Sequence, residues 1–554
     1  MTNWFLLFKI GPVQSFISHS RKMRDLYAGS FLLSYLITHA IEFVQKEKDV
    51  EVILPKKTVS LPNQILLLDR QGESHVDNLA HRLEKSVRDE FYSICRTLFT
   101  RLDIVVPNEV WDQLSSFPEI YWVYQEHDHS RPNFSFEHIM DKLQSVKSLR
   151  LFSQSAEKAG RKCALFPEYN ALYYKKRKDG KTPNYLVPEA VEITRDIPWQ
   201  YALNPGESLS ALALIKRMFY FLKDKFSSYN VDIISVASML LDDEFKTDKK
   251  LNALWRTMSP EAAEAIFDLQ NGLPLSDAEY KREEQAVAKT LVKSMDQAGL
   301  VVSPYYAVTK FDGDGIGSLY KECSPEEQKR LSKEIGNFAG EAPAIIREHG
   351  GMCIYAGGED FLGFFPLDAA IPALLELREK FQEKVPPPNG KVERLTFSAG
   401  IVIAHLMPPL QDVLALVDEM EHFAKENPGK DSFAIAVSKR SGGSLSVRNK
   451  FGKGGSHLRD LLEISDSIGK REISVSSLHQ LISVLEGIIQ QHDGDEEDMV
   501  ETLIRQSMYH HDNDLTPNEQ MCRCLIDFYH QYDRHLPSFL SALEIAIFLG
   551  KAVS

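Results

Sequence analysis

The sequence has 554 residues, of which 43% are hydrophobic and 26% are charged, so the chain can bury several separate cores. Its formal charge of -14 argues against a protein that coats nucleic acid over a broad basic surface. The six cysteines include no CxxC pair and no spacing typical of a disulfide framework. These features predict an ordinary globular protein of several domains.

The amino terminus, MTNWFLLFKIGPVQ, predicts a first strand, because it lacks the basic start and long apolar core of a signal peptide. No uninterrupted apolar run approaches the roughly 20 residues that span a membrane. We therefore expect a cytoplasmic protein that has no membrane contact.

Four stretches with different patterns of hydrophobic residues follow one another along the chain. Residues 1-150 predict an α/β unit, with a strand, a Gly-Pro break, a helix and the strand QILLLD. Residues 151-295 are mainly helical in pattern and predict a connector, and residues 296-445 predict a second α/β unit. Residues 446-554 follow the glycine-rich FGKGGSHLRD and predict a helical bundle.

Two local clusters of basic residues interrupt this acidic chain, and each is either a solvated loop or a binding surface. They are Lys175 to Lys178 with Lys181, and Lys439, Arg440, Arg448, Lys450 and Lys453.

The second α/β unit has elements that can be read in order. An apolar strand from Tyr305 to Phe311 runs into DGDG, and a capped helix starts at Ser324 and stops at Gly350. A hairpin, MCIYAGGEDFLGFF, is followed by the β-rich RLTFSAGIVIA, a helix that begins at Pro409, and the strand DSFAIAV. The predicted order is β, α, β-hairpin, β, α, β.

This order resembles the palm domain of nucleotidyl cyclases and nucleic-acid polymerases. In such a fold Asp312, at the end of the first strand, faces Glu359 and Asp360 across about 5 Å, one strand spacing. Converging carboxylates are tolerated when they hold Mg²⁺ or Mn²⁺, and a pair of such ions can clamp a triphosphate. Gly357 and Gly358 would leave room for a nucleotide. Either acidic cluster alone is also typical of a simple turn or a calcium loop.

Two lysines in AKENPGK are candidates for binding phosphate. Lys425 ends the second helix and Lys430 follows the turn. A basic helix end is explained equally well by the helix dipole.

Several further motifs resemble one family, the large polymerase/cyclase subunit of type III CRISPR effector complexes, particularly of the type III-B (Cmr) branch. The motifs cover nearly the whole chain and occur in the family's order. They are IGPVQSFISHSRKMRDLYAGSFLLSYL, LPNQ, IYWVY, GRKCALFPEYNAL, ESLSALALIKR, DGDGIG, AGGEDF, SAGIVIAH and AKENPGK.

The resemblance implies an α+β fold with two ferredoxin-like palm domains, a helical connector and a carboxyl-terminal helical bundle. The first palm would be degenerate, with Lys9, Ile10 and Gly11 in place of acids, and would hold a second nucleotide. The bundle would dock against the small helical subunit of the complex. Partners would be the other Cmr-type subunits, CRISPR RNA and target RNA.

The resemblance also implies a reaction and its site. Bound target RNA would switch on synthesis, from ATP, of a second messenger, either cyclic oligoadenylate or AMP joined to S-adenosylmethionine. Asp312, Glu359 and the carbonyl of Gly313 would hold two Mg²⁺ or Mn²⁺ ions. Asp360 would be a ligand or an acid-base group, and Lys425 and Lys430 would neutralise the triphosphate.

Three departures from the family pattern affect these expectations. Glu359 stands where the family usually has Asp, and its extra methylene moves the carboxylate by roughly 1 Å. The first palm begins at once, so no HD nuclease domain and no DNA cleavage are expected, and the His-Asp pairs at 127-128, 492-493 and 511-512 are taken as chance. Cys163 stands alone where relatives have zinc-binding cysteines, so no zinc is expected.

Two other classes of function stay open. A stand-alone diguanylate-type cyclase would carry the same hairpin and would work without RNA. A catalytically inert scaffold would only bridge subunits.

Overall fold

The computed structural model describes residues 3–55, 63–127, 132–149, 157–195, 197, 203–229, 235–258, 262–275, 280–388, 394–439, 444–491, 497–508 and 519–553. Helices and strands form separate layers, as expected of an α+β fold. Of the three His-Asp pairs, Asp128 and both residues of the later two lie outside the described residues.

The first domain is a four-stranded antiparallel sheet in the order β2-β3-β1-β4. Its strands are β1 (Trp4–Gly11), β2 (Val50–Leu54), β3 (Gln64–Asp69) and β4 (Glu119–Glu126). Its helices are α1 (Gln14–Ser18), α2 (Met23–Val44), α3 (Glu73–Leu102), α4 (Asn108–Ser115) and α5 (Pro132–Ser148).

Side chains of β1 are buried on both faces of this sheet. Leu6 and Phe8 join the main core, which also contains α2 and α3, whereas Phe5 and Leu7 pack in a smaller cluster with Ile139 of α5. The alternation follows from the two-residue period of a strand. Helix α2, with 22 residues, is the one described helix that is long and apolar enough to cross a membrane, and more than half of its apolar stretch is buried in the protein.

The connector is less regular than the sequence predicts. A three-stranded sheet in the order β6-β5-β7 precedes the helices, and it consists of β5 (Tyr173–Tyr174), β6 (Val191–Glu192) and β7 (Ser208–Leu209). The helices are α6 (Ala211–Met218), α7 (Val236–Phe245), α8 (Lys249–Trp255), α9 (Glu264–Gln270) and α10 (Arg282–Ala298). The expected helical pattern therefore holds only from Ala211 onward, and α10 crosses the predicted boundary at 295.

A buried ion network fastens the connector to the first domain. Arg217 of α6 donates to Asp25 of α2 at 2.8 Å and pairs with Glu207 at 3.4 Å. The adjacent Lys216 donates to the backbone carbonyl of His19 at 2.8 Å and to the hydroxyl of Ser20 at 2.7 Å. Because breaking a buried ion pair leaves an uncompensated charge, these contacts fix the position of α6 on α2.

The second domain is a six-stranded sheet in the order β13-β12-β11-β8-β10-β9, antiparallel except between β11 and β12. Its strands are β8 (Tyr305–Gly313), β9 (Met352–Gly357), β10 (Asp360–Pro366), β11 (Phe397–His405), β12 (Ser432–Ser438) and β13 (Ser444–Lys450). Its helices are α11 (Ile316–Glu322), α12 (Pro325–Glu348), α13 (Ala370–Lys384) and α14 (Leu410–Lys425).

Most elements of this domain lie where the sequence predicts them. Ser324 caps α12, and Glu327 bonds back to the Ser324 backbone in a capping box. Three elements were not predicted, α11, α13 and β13. Strand β13 pairs with β12, so the predicted boundary at 445 falls inside the sheet and is wrong.

The described residues from Ser456 onward are mainly helical, as predicted for the carboxyl-terminal part. Its helices are α15 (Ser456–Gly469), α16 (Val475–Gln491), α17 (Glu497–Ser507), α18 (Glu519–Gln531) and α19 (Leu536–Val553). Their apolar side chains join the core that lies on one face of the second sheet. The bundle is therefore packed on the second domain.

The two domains share a strand order. The sequence β4-β1-β3-β2 in the first sheet corresponds to β11-β8-β10-β9 in the second, and each of these four-strand sets is antiparallel throughout. This is the ferredoxin-like arrangement that was expected twice in the chain. The first and third strands are neighbours in both sheets, which decides where the candidate site forms.

Candidate functional site

The register of the second sheet brings the predicted acidic residues together. Asp360, the first residue of β10, lies opposite Asp312 near the end of β8. Next to this pair, the Gly313 amide donates to the Glu359 carbonyl at 3.1 Å. The predicted convergence of two acidic motifs nearly fifty residues apart is confirmed.

Glycines permit this close approach. Gly358 has a φ of +77°, a left-handed conformation that the hairpin needs and that other residues adopt at a cost. A Cβ at Gly313 would lie 2.8 Å from the Glu359 Cβ, so a side chain there would push the hairpin away. The turn conformation therefore explains why residue 358 is a glycine. This reason is separate from the predicted need to leave room for a nucleotide.

A chain of alternating charges supports the carboxylates from the helix side. Lys425 at the end of α14 donates to Asp312 at 2.7 Å and also contacts Glu421. The other oxygen of Glu421 lies 3.1 Å from the Lys310 ammonium, which donates to Asp418 at 2.6 Å. Lys310 and Glu421 are almost fully buried. Lys425 is thus held between a buried carboxylate and a carboxylate at the site.

Gly400 of β11 makes this chain of charges possible. It lies opposite Lys310 in the sheet, and a Cβ there would be 2.5 Å from the Glu421 amide and 2.8 Å from the Val417 carbonyl. Only a glycine lets α14 lie this close to the sheet. The predicted SAG motif therefore has a packing role.

Burial and mutual repulsion make the three acids weaker than usual. Burial is the largest cause in each case, and it raises the pKa of Asp312 and of Glu359 above the ordinary values. Burial raises the pKa of Asp360 to about 7; Lys310 opposes this shift, whereas Asp312 adds to it. For Glu421, burial is outweighed by Lys310 and Lys425, so its pKa is held below the ordinary value.

The second aspartate of the DGDG motif has a different role. The carboxylate of Asp314 accepts hydrogen bonds from the hydroxyls of Thr396 and Ser398, each at 2.8 Å, and from the Asp431 amide at 2.9 Å. Asp431 in turn accepts from Arg378 at 2.8 Å. Asp314 therefore ties the strand end to the loops beside it.

Lys430 is less directly placed than Lys425. It lies in the turn after α14 with a φ of +52°, and its carbonyl accepts from Ser432 at 2.8 Å. Within the part of the chain that the structure describes, no ion pair joins its ammonium to Asp312, Glu359 or Asp360. Its predicted phosphate contact stays a prediction.

The site opens into a cleft with a volume of about 1260 Å³. One wall contains Asp312, Gly357, Glu359 and Asp360, and the opposite wall is the first domain, including Lys9. Burial, and then Lys147, lowers the pKa of Lys9. Connector helix α7 contributes further lining residues. The two domains therefore face each other across one shared space that can hold molecules of nucleotide size.

The donor set fits hard divalent cations, which prefer carboxylate oxygen. Asp312, Glu359, Asp360, Glu421 and Asp418 supply five carboxylates to this network, whereas Lys310 and Lys425 supply two ammonium groups. A cation would relieve this excess of negative charge. Within the described ranges, however, no three acidic, His or Cys side chains form a ready-made metal cluster.

Two residues of the site were missed by the sequence analysis although the sequence held a signal for each. Lys310 precedes Asp312 by two positions, so the strand period places both on one face. Glu421 precedes Lys425 by four positions, the spacing of an ion pair on a helix. What could not be read from the sequence is that α14 lies over β8.

Comparisons with known proteins show similarity to one family in two parts of the chain. Residues 305–434 match the second palm domain of Cas10/Cmr2, and residues 5–60 match the N-terminal part of the CRISPR-associated protein Cmr2. The CRISPR system Cmr subunit Cmr2 of Pyrococcus furiosus is 24% identical, with 79% of this chain and 61% of that protein covered. The chain thus spans about three fifths of the length of that curated relative.

Solved structures agree on the fold. Type III-B Cmr-beta in the apo state matches with a TM-score of 0.68 at 14% identity, covering 99% of this chain and 82% of that chain. Type III-B Cmr-beta bound to cognate target RNA matches with a TM-score of 0.64 at 14% identity, covering 99% of this chain and 83% of that chain. The Csm1-Csm4 cassette in complex with one ATP matches with a TM-score of 0.50 at 12% identity, covering 99% of this chain and 70% of that chain.

Both family matches fall on the two sheets that face the cleft, in the order that the sequence motifs indicated. The chain is similar to the Cas10/Cmr2 proteins, with a match to their second palm domain at residues 305–434 and to the N-terminal part of Cmr2 at residues 5–60.

Proposed function

We propose that this chain is the nucleotidyl-transferring subunit of an RNA-guided type III-B complex, and that bound target RNA switches on synthesis of a nucleotide second messenger from ATP. The observation that carries the proposal is the pairing of Asp312 with Asp360 across two strands at the wall of a two-domain cleft. The product is cyclic oligoadenylate or AMP joined to S-adenosylmethionine.

The residues divide the work as follows. Asp312, Glu359 and Asp360 with the Gly313 carbonyl are the groups that would hold Mg²⁺ or Mn²⁺. Bound divalent ions would supply charge stabilisation for the triphosphate and the departing pyrophosphate. Lys425 moves its ammonium from Asp312 to the phosphates, and Lys430 would neutralise further charge of the triphosphate. Gly357 and Gly358 keep the hairpin backbone accessible to the nucleotide.

The reaction is a displacement at phosphorus. A hydroxyl or other nucleophilic oxygen forms a bond to the α-phosphorus of ATP, and the bond from that phosphorus to the bridging oxygen breaks, which releases pyrophosphate. Asp360 either binds a metal ion or takes the proton of the nucleophile. The cleft aligns the second nucleotide on the side of Lys9.

Partners follow from the family. Cmr-beta has been solved with cognate target RNA, and the Csm1-Csm4 cassette with one ATP. We accordingly propose the other Cmr-type subunits, CRISPR RNA and target RNA as the partners, ATP as the substrate, and the cytoplasm as the compartment.

The test uses the assembled complex with labelled ATP and Mg²⁺ or Mn²⁺, with and without target RNA and S-adenosylmethionine. We expect product only when target RNA is present. Chromatography of the product identifies the messenger. Synthesis without RNA would instead support a stand-alone cyclase, and no synthesis under any condition would support an inert scaffold.

A double variant tests the site itself. Glu359→Ala with Asp360→Ala should abolish product while the complex still assembles, because both side chains lie at a hairpin tip on the cleft wall. Glu419→Gln, an exposed change on α14, is the matched control and should keep full synthesis. Product from the double variant would refute the assignment.

A further inference from the structure

The first half of the connector carries a local excess of positive charge. Between residues 157 and 195 there are nine Lys and Arg residues against five Asp and Glu, in a chain whose formal charge is -14. The basic cluster noted in the sequence, Lys175 to Lys178 with Lys181, belongs to this segment, and all five of its side chains are exposed. The proposed chemistry in the cleft uses none of them.

A small cavity of about 210 Å³ lies where this segment meets residues 204–208 and the first domain. Its lining includes Arg21 from the first domain, Arg161 and Lys162. Arg161 is anchored there, since its Nε donates to the Ser208 hydroxyl at 2.8 Å. The stem of Arg177 lies against Gly206, where a Cβ would be 3.3 Å from the Arg177 Cγ. Three cationic side chains thus line one concave spot, and the stem of Arg177 lies beside it.

Carboxylates only partly balance these charges. Lys162 pairs with Glu157 at 3.2 Å, and Arg177 lies 3.6 Å from Asp179. Arg21 lies 3.7 Å from Glu207, which is already shared with the buried Arg217. The guanidinium of Arg161 pairs with no carboxylate among the described residues. The cavity therefore presents positive charge to an anion.

An exposed aromatic ring stands next to the cavity. Tyr185 is 86% exposed, and its carbonyl accepts a hydrogen bond from the Arg161 amide. Its φ of +61° lies in the left-handed region, which a tyrosine adopts only at a cost. A bulky ring held in solvent by an unfavourable backbone conformation is more typical of a contact surface than of a loop that merely connects two strands.

We propose that Arg21, Arg161, Lys162, Arg177 and Tyr185, here called the connector surface, bind single-stranded RNA. Guanidinium and ammonium groups around the cavity bind backbone phosphates, and a base stacks on the ring of Tyr185. An acidic protein face would match the charges equally well but would give the exposed ring no function, so the observations favour RNA. The inference does not depend on the chemistry of the cleft, and its failure would leave the proposed synthesis untouched.

The test measures binding of a short fluorescein-labelled oligouridylate to the full chain by anisotropy, at low and at physiological ionic strength. Arg161→Glu with Arg177→Glu should weaken binding by about tenfold or more at low ionic strength and reduce its salt dependence. The matched control is Lys289→Glu with Lys293→Glu on α10, the same change of charge at two exposed positions, which should weaken binding less than twofold.

A second pair of variants separates RNA from other polyanions. Tyr185→Ala should weaken RNA binding about fivefold without changing the salt dependence, and Tyr185→Trp should retain it. Neither change should affect binding of a labelled polyglutamate. The proposal is overturned if the charge reversal behaves like its control, or if Tyr185→Ala binds RNA like the unmodified chain. Equal competition by polyglutamate would also overturn it and would indicate an acidic protein partner.

Discussion

The two sheets have one strand order but place different chemistry at the end of their central strand. Strand β1 lies between β3 and β4 and ends with Lys9, Ile10 and Gly11, whereas β8 lies between β10 and β11 and ends with Asp312 and Gly313. Lys9 and Asp312 line the same cleft from opposite sides. The shared fold fixes where a strand ends, and the residues there decide whether that end offers a cation or a carboxylate.

The difference in charge between the two central strands also holds two residues before each strand end. Two positions before Lys9 stands Leu7, a buried apolar side chain, and two positions before Asp312 stands Lys310, a buried cation. Lys310 needs Glu421 to compensate for its burial, and Glu421 reaches it only because α14 packs closely on Gly400. The second sheet thus carries a buried charge network that supports its carboxylates.

The largest expected effect comes from removing the carboxylate that distinguishes the second sheet. Asp312→Asn should lower kcat of the proposed RNA-activated synthesis by about 10³-fold, because it removes a proposed metal ligand and the partner of Lys425. Steady-state synthesis from labelled ATP measures the change. Asp314→Asn should instead lower the melting temperature, since its three hydrogen bonds hold the strand end. Equal loss of kcat in both variants at unchanged stability would contradict the division of roles.

The next effect concerns the packing that the network needs. Gly400→Val should destabilise the protein by about 3 kcal/mol, since the side chain would meet backbone atoms of α14 at 2.5 to 2.9 Å. Thermal denaturation measures the loss. Gly317→Ala in α11, where no atom lies within 4 Å of the added Cβ, is the control and should not destabilise. An unchanged melting temperature for Gly400→Val would show that α14 can move away freely.

Sequence reasoning predicted the strand ends of this site well because each acidic motif directly follows an apolar run. Asp312 is expected to face Glu359 and Asp360 because the predicted order of elements resembles a palm domain, and the register places Asp360 opposite Asp312. Lys310 and Glu421 were missed because their importance depends on the distance between a helix and a strand of distant sequence. Strand β13 was missed because the glycine-rich segment after it was taken to end the domain.

A third prediction uses the buried carboxylate at the hairpin. Its pKa in the folded protein, about 7, is higher than the ordinary 3.8, so Asp360 contributes stability below pH 4 that is lost as the pH rises to 7. When a chelator keeps divalent metal ions away, the free energy of unfolding of Asp360→Asn should therefore exceed that of the unmodified protein by about 2 kcal/mol at pH 8. The difference should shrink to zero near pH 4. Calorimetry across this range measures it.

Two controls accompany the pH experiment. Glu348→Gln removes an exposed carboxylate from the same cleft and should show no such pH-dependent gain. Addition of Mn²⁺ at pH 8 should raise the melting temperature of the unmodified protein and leave that of Asp360→Asn nearly unchanged. A pH-independent difference between Asp360→Asn and the unmodified protein would argue against a buried, weakened acid.

The smallest expected effect lies on the first sheet and sharpens the comparison most directly. If the end of β1 only binds the nucleotide, Lys9→Ala should raise KM for ATP about fivefold and change kcat less than twofold. A fivefold rise in KM is equivalent to about 1 kcal/mol, the size of a charge-assisted contact. Lys9→Arg should restore KM, because it keeps the charge facing the cleft. Rate measurements over a range of ATP concentrations separate the two constants. A fall in kcat as large as that of Asp312→Asn would mean that the first sheet contributes to the chemical step, and the division between a binding sheet and a reacting sheet would have to be abandoned.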